Sequence, residues 1–294
     1  MSSYDRFHIP VLLDEVMCLL NPKDGGVYVD CTLGAGGHAE RILELSSPGG
    51  RLIGIDLDSE AISIAKERLE GFGDRVSFVH ANFADLDDIL RSFGVDGVDG
   101  ILMDLGVSWI QLSDPKRGFS FRLDAPLDMR MDRRIPLTAC EVVNTKSEEE
   151  LREIFRKYGQ ERWAGRIARR IVRFRERSPV LTTRQLAQIV ESAVPGRGRL
   201  HPATRIFLAL RIYVNGELDN LERGLDSAIR WLKPGGRICV ISFHSLEDRI
   251  VKWKFRGMKT HLRIITRKPI TPGDEEVKEN PRSRSAKLRA AEAI

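Results

Sequence analysis

Cysteine is scarce and scattered in this chain of 294 residues: Cys18, Cys31, Cys140 and Cys239 fit no C-x-x-C spacing. That pattern excludes a disulfide framework and a thiolate zinc site, and leaves reduced thiols of the kind expected in a cytoplasmic protein. Histidine offers a metal no better start, because His8, His38, His80, His201, His244 and His261 form no H-x-x-x-H pair. No apolar run approaches the roughly 18 residues of a membrane span. The opening residues, Met1 to Pro10, lack the basic-then-apolar order of a secretory signal. The expectation is a cytoplasmic protein without metal, disulfide or membrane contact.

Charge, by contrast, is plentiful. With 42% apolar and 30% charged residues the chain reads as a soluble globular protein long enough for a full core. At about 150 residues per domain it holds two domains, or one with a large insertion. The net charge of +5 conceals an asymmetry. Between Asp114 and Tyr213, 22 Lys and Arg stand against 12 Asp and Glu, a net +10, so the remainder carries −5. A basic middle inside an acidic frame suggests a polyanion addressed by one part of the molecule; a merely solvated charged surface is the alternative.

The chain is organised around Val27 to His38, V-Y-V-D-C-T-L-G-A-G-G-H. Val27 to Val29 predict a buried strand ending at Asp30, and Gly34, Gly36 and Gly37 a turn into a helix near His38. Glycines let the backbone take positive φ there and let a ligand approach the bare amides of a helix start. The spacing is G-x-G-G, not the G-x-G-x-x-G of dinucleotide sites, so a structural turn stays open as the alternative. A second strand, R-L-I-G-I-D, ends at Asp56, 22 positions beyond Gly34, where an acid holds ribose hydroxyls in Rossmann-like sites. A third strand, 76–80, delivers Asn82 and Phe83, suited to an adenine ring or, for Phe83, to the core. A fourth, 100–104, ends at Asp104.

Strand–helix alternation stops after 113 and resumes at 214, so residues 114–213 read as an inserted helical, basic domain for RNA or substrate recognition, and 1–113 with 214–294 as the nucleotide-binding domain. The surrounding elements predict helices at 8–20 and 217–232, another from Ser59 as its cap, then a strand at 237–243, a helix at 248–256 and strands near 262–266 and 285–291, with a surface connection at 268–284. Within the insertion, Gln160 to Arg177 predicts a helix with Arg162, Arg166, Arg169, Arg170, Arg173 and Arg177 on one face and Trp163, Ile167, Ile171 and Phe174 on the other. Guanidinium forks suit phosphate. A helix from Thr182 and Thr183, a basic glycine turn at 195–199 and a helix at 201–213 follow.

The glycine turn and ribose acid fit both NAD and S-adenosylmethionine. The non-dinucleotide glycine spacing favours the latter, which has no pyrophosphate to accommodate. W-L-K-P-G-G-R-I at 231–238 resembles the loop before the fifth strand of class I methyltransferases. A closer resemblance covers nearly the whole chain in order. H-I-P-V-L-L-D-E-V at 8–16, D-C-T-L-G-A-G-G-H at 30–38, D-L-G-V-S-W-I-Q at 104–111 and R-G-F-S-F at 117–121 carry it. So do P-L-D-M-R-M at 126–131, Y-G-Q-E-R at 158–162, H-P-A-T-R at 201–205, I-S-F-H-S-L-E-D-R-I-V-K at 241–252 and N-P-R-S-R-S-A-K-L-R at 280–289. These resemble the MraW (RsmH) family of bacterial small-subunit rRNA cytosine-N4 methyltransferases. Trp109 departs from it, standing where the family usually has Ser.

The resemblance implies a Rossmann-like, class I S-adenosylmethionine-dependent α/β fold with an inserted helical domain, small-subunit (16S) ribosomal RNA as partner, and methyl transfer to N4 of a cytidine. It places the cofactor against Gly36, Gly37, His38, Asp56, Phe83, Asp104 and Gln111, to which the turn adds Gly34. Asp104 and the Leu105 carbonyl stand where other amino-methyltransferases carry an Asp-Pro-Pro-aromatic motif, here without the prolines. Asn215, Ser242 and His244 are further catalytic candidates, with structural packing as their alternative. Phe119 and Phe121 could stack on a flipped base or belong to the core, and Asp128 and Arg130 could order that loop. Cytosine-C5 chemistry needs a cysteine nucleophile, usually after proline, and no cysteine here follows one. NAD-dependent oxidoreduction and a catalytically silent RNA-binding assembly factor are the rival readings.

Overall fold

The computed structural model describes residues 9–195 and 201–294; His8 and most of the expected basic turn, 196–199, lie outside the described residues. Residues up to Gly106 together with Leu218–Ile294 form one compact unit, and Val107–Glu217 form another. In the first, α1 (Leu13–Leu20) leads to β1 (Val27–Asp30), α2 (Gly37–Leu45), β2 (Arg51–Asp56), α3 (Ser59–Arg68), β3 (Val76–His80), α4 (Leu86–Ser92) and β4 (Val98–Asp104). The second holds α5 (Trp109–Ser113), α6 (Ala139–Thr145), α7 (Glu148–Lys157), α8 (Ala164–Arg175), α9 (Thr183–Ala193) and α10 (Ala203–Asn215). The chain then returns through α11 (Glu217–Trp231), β5 (Leu232–Ser242), α12 (Ser245–Gly257), β6 (Leu262–Ile264), α13 (Asp274–Glu279) and β7 (Lys287–Ala293).

The seven strands lie in the order β3-β2-β1-β4-β5-β7-β6. β1 to β5 pair in parallel, while β7 runs antiparallel to both β5 and β6, so the Rossmann-like sheet is mixed. Strand order reverses between β1 and β4, and a crevice outside the carboxyl ends at such a point is where open α/β sheets take ligands. Alternation sets the two cores. Val29, Ile53, Ile55, Ile101 and Met103 pack with Leu86, Leu90, Leu225, Val251 and Phe255 of α4, α11 and α12. Tyr28, Leu52, Leu102, Cys239 and Ile241 pack with Val16, Leu20, Ile42, Leu43 and Ala65 of α1 to α3. Burial on both faces is why these strands read as near-continuous apolar runs.

Several boundaries depart from the sequence expectation for local reasons. α1 begins at Leu13, not near His8, because Leu12 takes a left-handed φ of 54° and donates its N–H to Glu276 Oε1 at 2.8 Å. Asp58, not Ser59, caps α3, accepting the Glu60 N–H at 3.1 Å. The K-P-G-G stretch lies inside β5, where pairing with β4 skips from Val98–Leu232 to Gly100–Arg237 around a left-handed Gly235. α12 starts at Ser245, earlier than expected, because His244 caps it.

The second unit is helical. Capping boxes at Thr138/Glu141, Ser147/Glu150 and Thr182/Gln185 open α6, α7 and α9. Apolar stripes such as Leu151 and Phe155, Ile167 and Ile171, and Leu186 and Val190 are buried. α8 is shorter than the expected 160–177, since Gln160 has a left-handed φ of 49°, and Phe174, expected on the apolar face, is exposed in the last turn. Residues 114–131 are fixed by Arg117, whose buried guanidinium donates to the carbonyls of Arg130 (3.1 Å) and Met131 (2.9 Å). Phe119 is buried, and Phe121 stacks on His201 at 4.5 Å and meets Phe207 edge-on at 5.0 Å.

Gly118 has φ +70°, and a Cβ there would run into the Pro126 carbonyl oxygen and stand 2.9 Å from the Asp128 nitrogen. Neither backbone atom can retreat without breaking the loop. Gly118→Ala should therefore destabilise the protein by about 2 kcal/mol or more. A denaturant midpoint equal to that of the parent would contradict the tight approach.

Candidate active site

Three acids stand at the carboxyl ends of adjacent parallel strands: Asp30 on β1, Asp56 on β2 and Asp104 on β4. Asp30 is buried, and its Oδ1 accepts the Thr32 N–H at 3.1 Å. The Thr32 hydroxyl oxygen accepts the Asp104 N–H at 2.6 Å, tying the end of β1 to the end of β4. Asp56 takes one backbone donor on each oxygen, Gly34 N–H on Oδ2 and Asp58 N–H on Oδ1, both at 2.8 Å. Asp104 Oδ2 lies 3.8 Å from His38 Nδ1, while its Oδ1 is buried without a hydrogen-bond partner. His38 is only 5% exposed, and its Nε2 is 3.0 Å from the Val11 carbonyl, which can only accept. The Nε2–H therefore donates to that carbonyl, and Nδ1 is the ring nitrogen that faces Asp104.

This arrangement concentrates negative charge. Burial pushes Asp104 up to about 8, helped by the nearby charges of Asp30 and Glu247. Burial likewise raises Asp30 to about 7, with Asp56 adding to the shift and the Thr32 N–H opposing it. Asp56 rises to about 6, again mainly by burial, against the N–H bonds of Asp58 and Gly34. Like charges this close resist joint ionisation, so near neutral pH the cluster keeps protons unless a cation joins it. A buried set of acids suits a positively charged ligand better than a pyrophosphate. The orphaned Oδ1 of Asp104 is an acceptor aimed at an incoming donor.

Beside the acids, α2 opens at left-handed Gly36 (φ 81°) with no side-chain cap, the form of helix start whose first amides serve a ligand. The glycines divide their duties. Gly34 faces open space, its nearest neighbour being the Thr32 carbonyl oxygen 3.8 Å from a would-be Cβ. A Cβ on Gly37 would meet Pro10 Cγ at 2.5 Å, so that glycine admits the N-terminal segment.

The remaining expected residues are held as follows. Phe83 is half-buried against the core, so close to α11 that a Cβ on Gly224 would run into its ring. Ser242 Oγ donates to the Lys287 carbonyl at 3.3 Å across β5 and β7. His244 Nδ1 accepts the Glu247 N–H at 3.3 Å as the cap of α12; its Nε2 stands 3.1 Å from Glu247 Oε1 without hydrogen-bond geometry. Gln111 and Asn215 belong to the second unit, whose limits, 107 and 217, lie outside the expected 114–213. Gln111 Oε1 accepts the Ser108 N–H at 3.1 Å in the capping box of α5. Asn215 Oδ1 accepts the Met131 N–H at 2.7 Å, and its Nδ2 donates to the Met129 and Arg211 carbonyls at 2.8 Å each. Sequence reasoning does not single out Asp30 and Thr32 as site residues, although both lie inside the D-C-T-L-G stretch. Burial pushes Cys31 far up and Cys239 to about 12, so neither presents a thiolate nucleophile.

On α8 of the second unit, Arg166, Arg169, Arg170 and Arg173 are exposed. Arg169 is paired with Glu148 at 3.2 Å and Arg170 bonds Ser192 Oγ at 3.2 Å. Arg162, just before the helix, lies 5.3 Å from the Trp163 ring. In the loop that follows Arg117, Asp128 holds Arg130 through Nε–Oδ1 at 2.8 Å and Nη2–Oδ2 at 2.9 Å, so this pair orders the loop internally.

The MraW methylase family is matched over residues 5–294 of the chain. Proteins named "Ribosomal RNA small subunit methyltransferase H" are similar along almost their whole length. That of Geobacter sp. (strain M21) is 53% identical, with 99% of each chain covered. That of Geobacter sulfurreducens is 53% identical, covering 98% of this chain and 99% of the relative. That of Symbiobacterium thermophilum is 52% identical, covering 96% and 95%.

The raised acids make a signed prediction. A carboxyl whose folded value lies above its unfolded one stabilises the fold fully only below the unfolded value, and that contribution is lost as pH rises towards the folded value. For Asp104 the window runs from its ordinary value of 3.8 to about 8. Asp104→Asn should therefore gain thermal stability over the parent progressively across that window, and the gap should level off above it. Melting curves whose difference does not change with pH would refute the buried, cation-free cluster.

Proposed function

The chain belongs to the MraW methylase family, and from that premise we propose that it uses S-adenosylmethionine to methylate N4 of a cytidine in small-subunit (16S) ribosomal RNA. The observation that carries this reading is the acid cluster at the β1–β4 reversal, with its orphaned Asp104 oxygen. S-adenosylmethionine, when bound, supplies an electrophilic methyl on a cationic sulfonium. Its positive charge is what three mutually repelling carboxyls lack, whereas the pyrophosphate of NAD would add to their repulsion. The first turn of α2, with Gly34, Gly36, Gly37 and His38, would hold the methionine end, Asp56 the ribose and Phe83 the adenine side. Gln111 joins the set through the family resemblance.

The exocyclic amine of cytosine is a poor nucleophile because its lone pair is delocalised into the ring. Accepting hydrogen bonds from that amine favours a tetrahedral nitrogen and holds it in line for transfer. Asp104 Oδ1 and the Leu105 carbonyl are the acceptors we assign, and Asp104 is held by Thr32 through its N–H. Transfer would form the N4–CH3 bond as the S–CH3 bond breaks, leaving S-adenosylhomocysteine as product, and N4 would release one proton to water. Asn215, Ser242 and His244, all bonded to backbone, act as positioning residues for the 129–131 loop, the β5–β7 pairing and the start of α12. The exposed arginines of α8 contact rRNA, within the small ribosomal subunit and in the cytoplasm.

The decisive experiment transfers labelled methyl from S-adenosylmethionine to small subunits from cells lacking this gene, followed by nucleoside analysis. Label in N4-methylcytidine is the expected result; label in another nucleoside would overturn the target, and cofactor binding without any label would favour an assembly factor. Asp104→Ala should lower turnover about 100-fold or more, and near-parental turnover would remove its role. Arg166→Glu with Arg170→Glu should weaken rRNA binding and flatten its salt dependence while leaving S-adenosylmethionine affinity unchanged. Unaltered rRNA affinity would dismiss the α8 face.

A further inference from the structure

The acidic average of the first unit hides a basic region. From Ser245 to Lys268, eight Lys and Arg stand against two Asp and Glu. This stretch forms α12 and the edge strand β6, which with β7 line a groove of about 950 Å³. Phe255 and Leu262 give it an apolar floor, and Lys252, Arg256, Lys259 and Arg267 line it without an acidic partner among the described residues. The neighbouring cations are neutralised, Arg263 by Glu292 and Arg289 by Asp248.

Trp253, on the same helix, is 59% exposed, the largest side chain among the exposed apolar residues of the unit. Lys252 Nζ and Arg256 Cζ each lie 5.6 Å from its ring, and both side chains also line the groove. An indole held open between cations combines the two elements of single-strand recognition, an aromatic face for a base and positive charge for the flanking phosphates. A second copy of this chain is a poor occupant, because an isologous contact would set the unpaired cations against themselves.

We propose that the α12–β6–β7 groove binds a single-stranded RNA segment, with a base stacked on Trp253 and phosphates along Lys252, Arg256, Lys259 and Arg267. This rests on ribosomal RNA being the substrate, and adds a contact surface on the unit that carries the acid cluster.

The test uses the full chain and a fluorescein-labelled oligouridylate 12-mer, which has no cytidine and so reads binding apart from methyl transfer. Trp253→Ala should weaken binding roughly 5- to 150-fold, the range of one base–aromatic stack, and Trp253→Phe should restore most of it. Arg256→Glu with Lys259→Glu should flatten the plot of log affinity against log salt by about 0.7 for each phosphate contact removed. All three positions are exposed, so folding is preserved, which parental melting curves would verify. Parental affinity and salt slope in both variants would overturn the proposal. So would weaker binding to intact small subunits with unchanged binding to the oligonucleotide and to protein-free rRNA, the result that points to a ribosomal protein. Failure to form N4-methylcytidine, with oligonucleotide binding still sensitive to the variants, would count against the methylation reading alone.

Discussion

Burial of Asp30, Asp56 and Asp104 at adjacent strand ends is the constraint on which the candidate site depends, and repulsion from neighbouring acids adds to it. Parallel pairing of β1 with β2 and with β4 brings the three strand ends side by side, so the topology itself gathers the carboxyls. Each is then managed differently. Asp56 receives two backbone N–H groups and rises least, Asp30 receives one from Thr32, and Asp104 keeps an oxygen without a partner and rises most. The gradient runs from a carboxylate prepared for steady hydrogen bonding to one whose charge depends on what enters. Such a graded set marks a functional site more sharply than any one shifted acid.

The same features explain what the sequence can reveal. Strand ends marked by acids, and glycines that tolerate positive φ, are local properties, so β1, β2, β4, the glycine turn and Asp56 are all legible. Asp30 is visible as a strand end but gains its role only from pairing, since nothing in D-C-T places a threonine hydroxyl under the Asp104 amide. Asn215, Ser242 and His244 show the opposite limit. Polar residues in a familiar motif suggest chemistry, and the sequence does not show the bonds that hold them to backbone 84, 45 and 3 residues away. Helix starts read from periodicity miss their true positions where a single left-handed residue, Leu12 or Gln160, interrupts an otherwise helical pattern.

Averaging over long windows also obscures the charge pattern. A net of −5 outside residues 114–213 assigns polyanion contact to the insertion alone. Acids in the first unit lie partly in the buried cluster and partly in ion pairs such as Asp87 with Arg230 and Asp99 with Lys233. Charges that are buried or paired contribute little to the field a distant phosphate feels, while unpaired cations on one edge act together. Surface electrostatics depends on which charges remain unneutralised, and α12 with β6 carries a concentrated share of them.

Methylating a neutral amine places a different demand on a site than activating a hydroxyl does. A base strong enough to deprotonate an aniline-like nitrogen is out of reach of a carboxylate, so what helps is alignment, an acceptor for the amine hydrogens and an anionic environment for a cationic donor. In the proposed reading, an acid raised mainly by burial would meet those demands once a cation arrives, since the cation that carries the methyl would draw the acceptor into its ionised form. On the proposed reading, charge on the ligand and charge on Asp104 would thereby be linked, so that binding the methyl donor would also ready the acceptor for the amine.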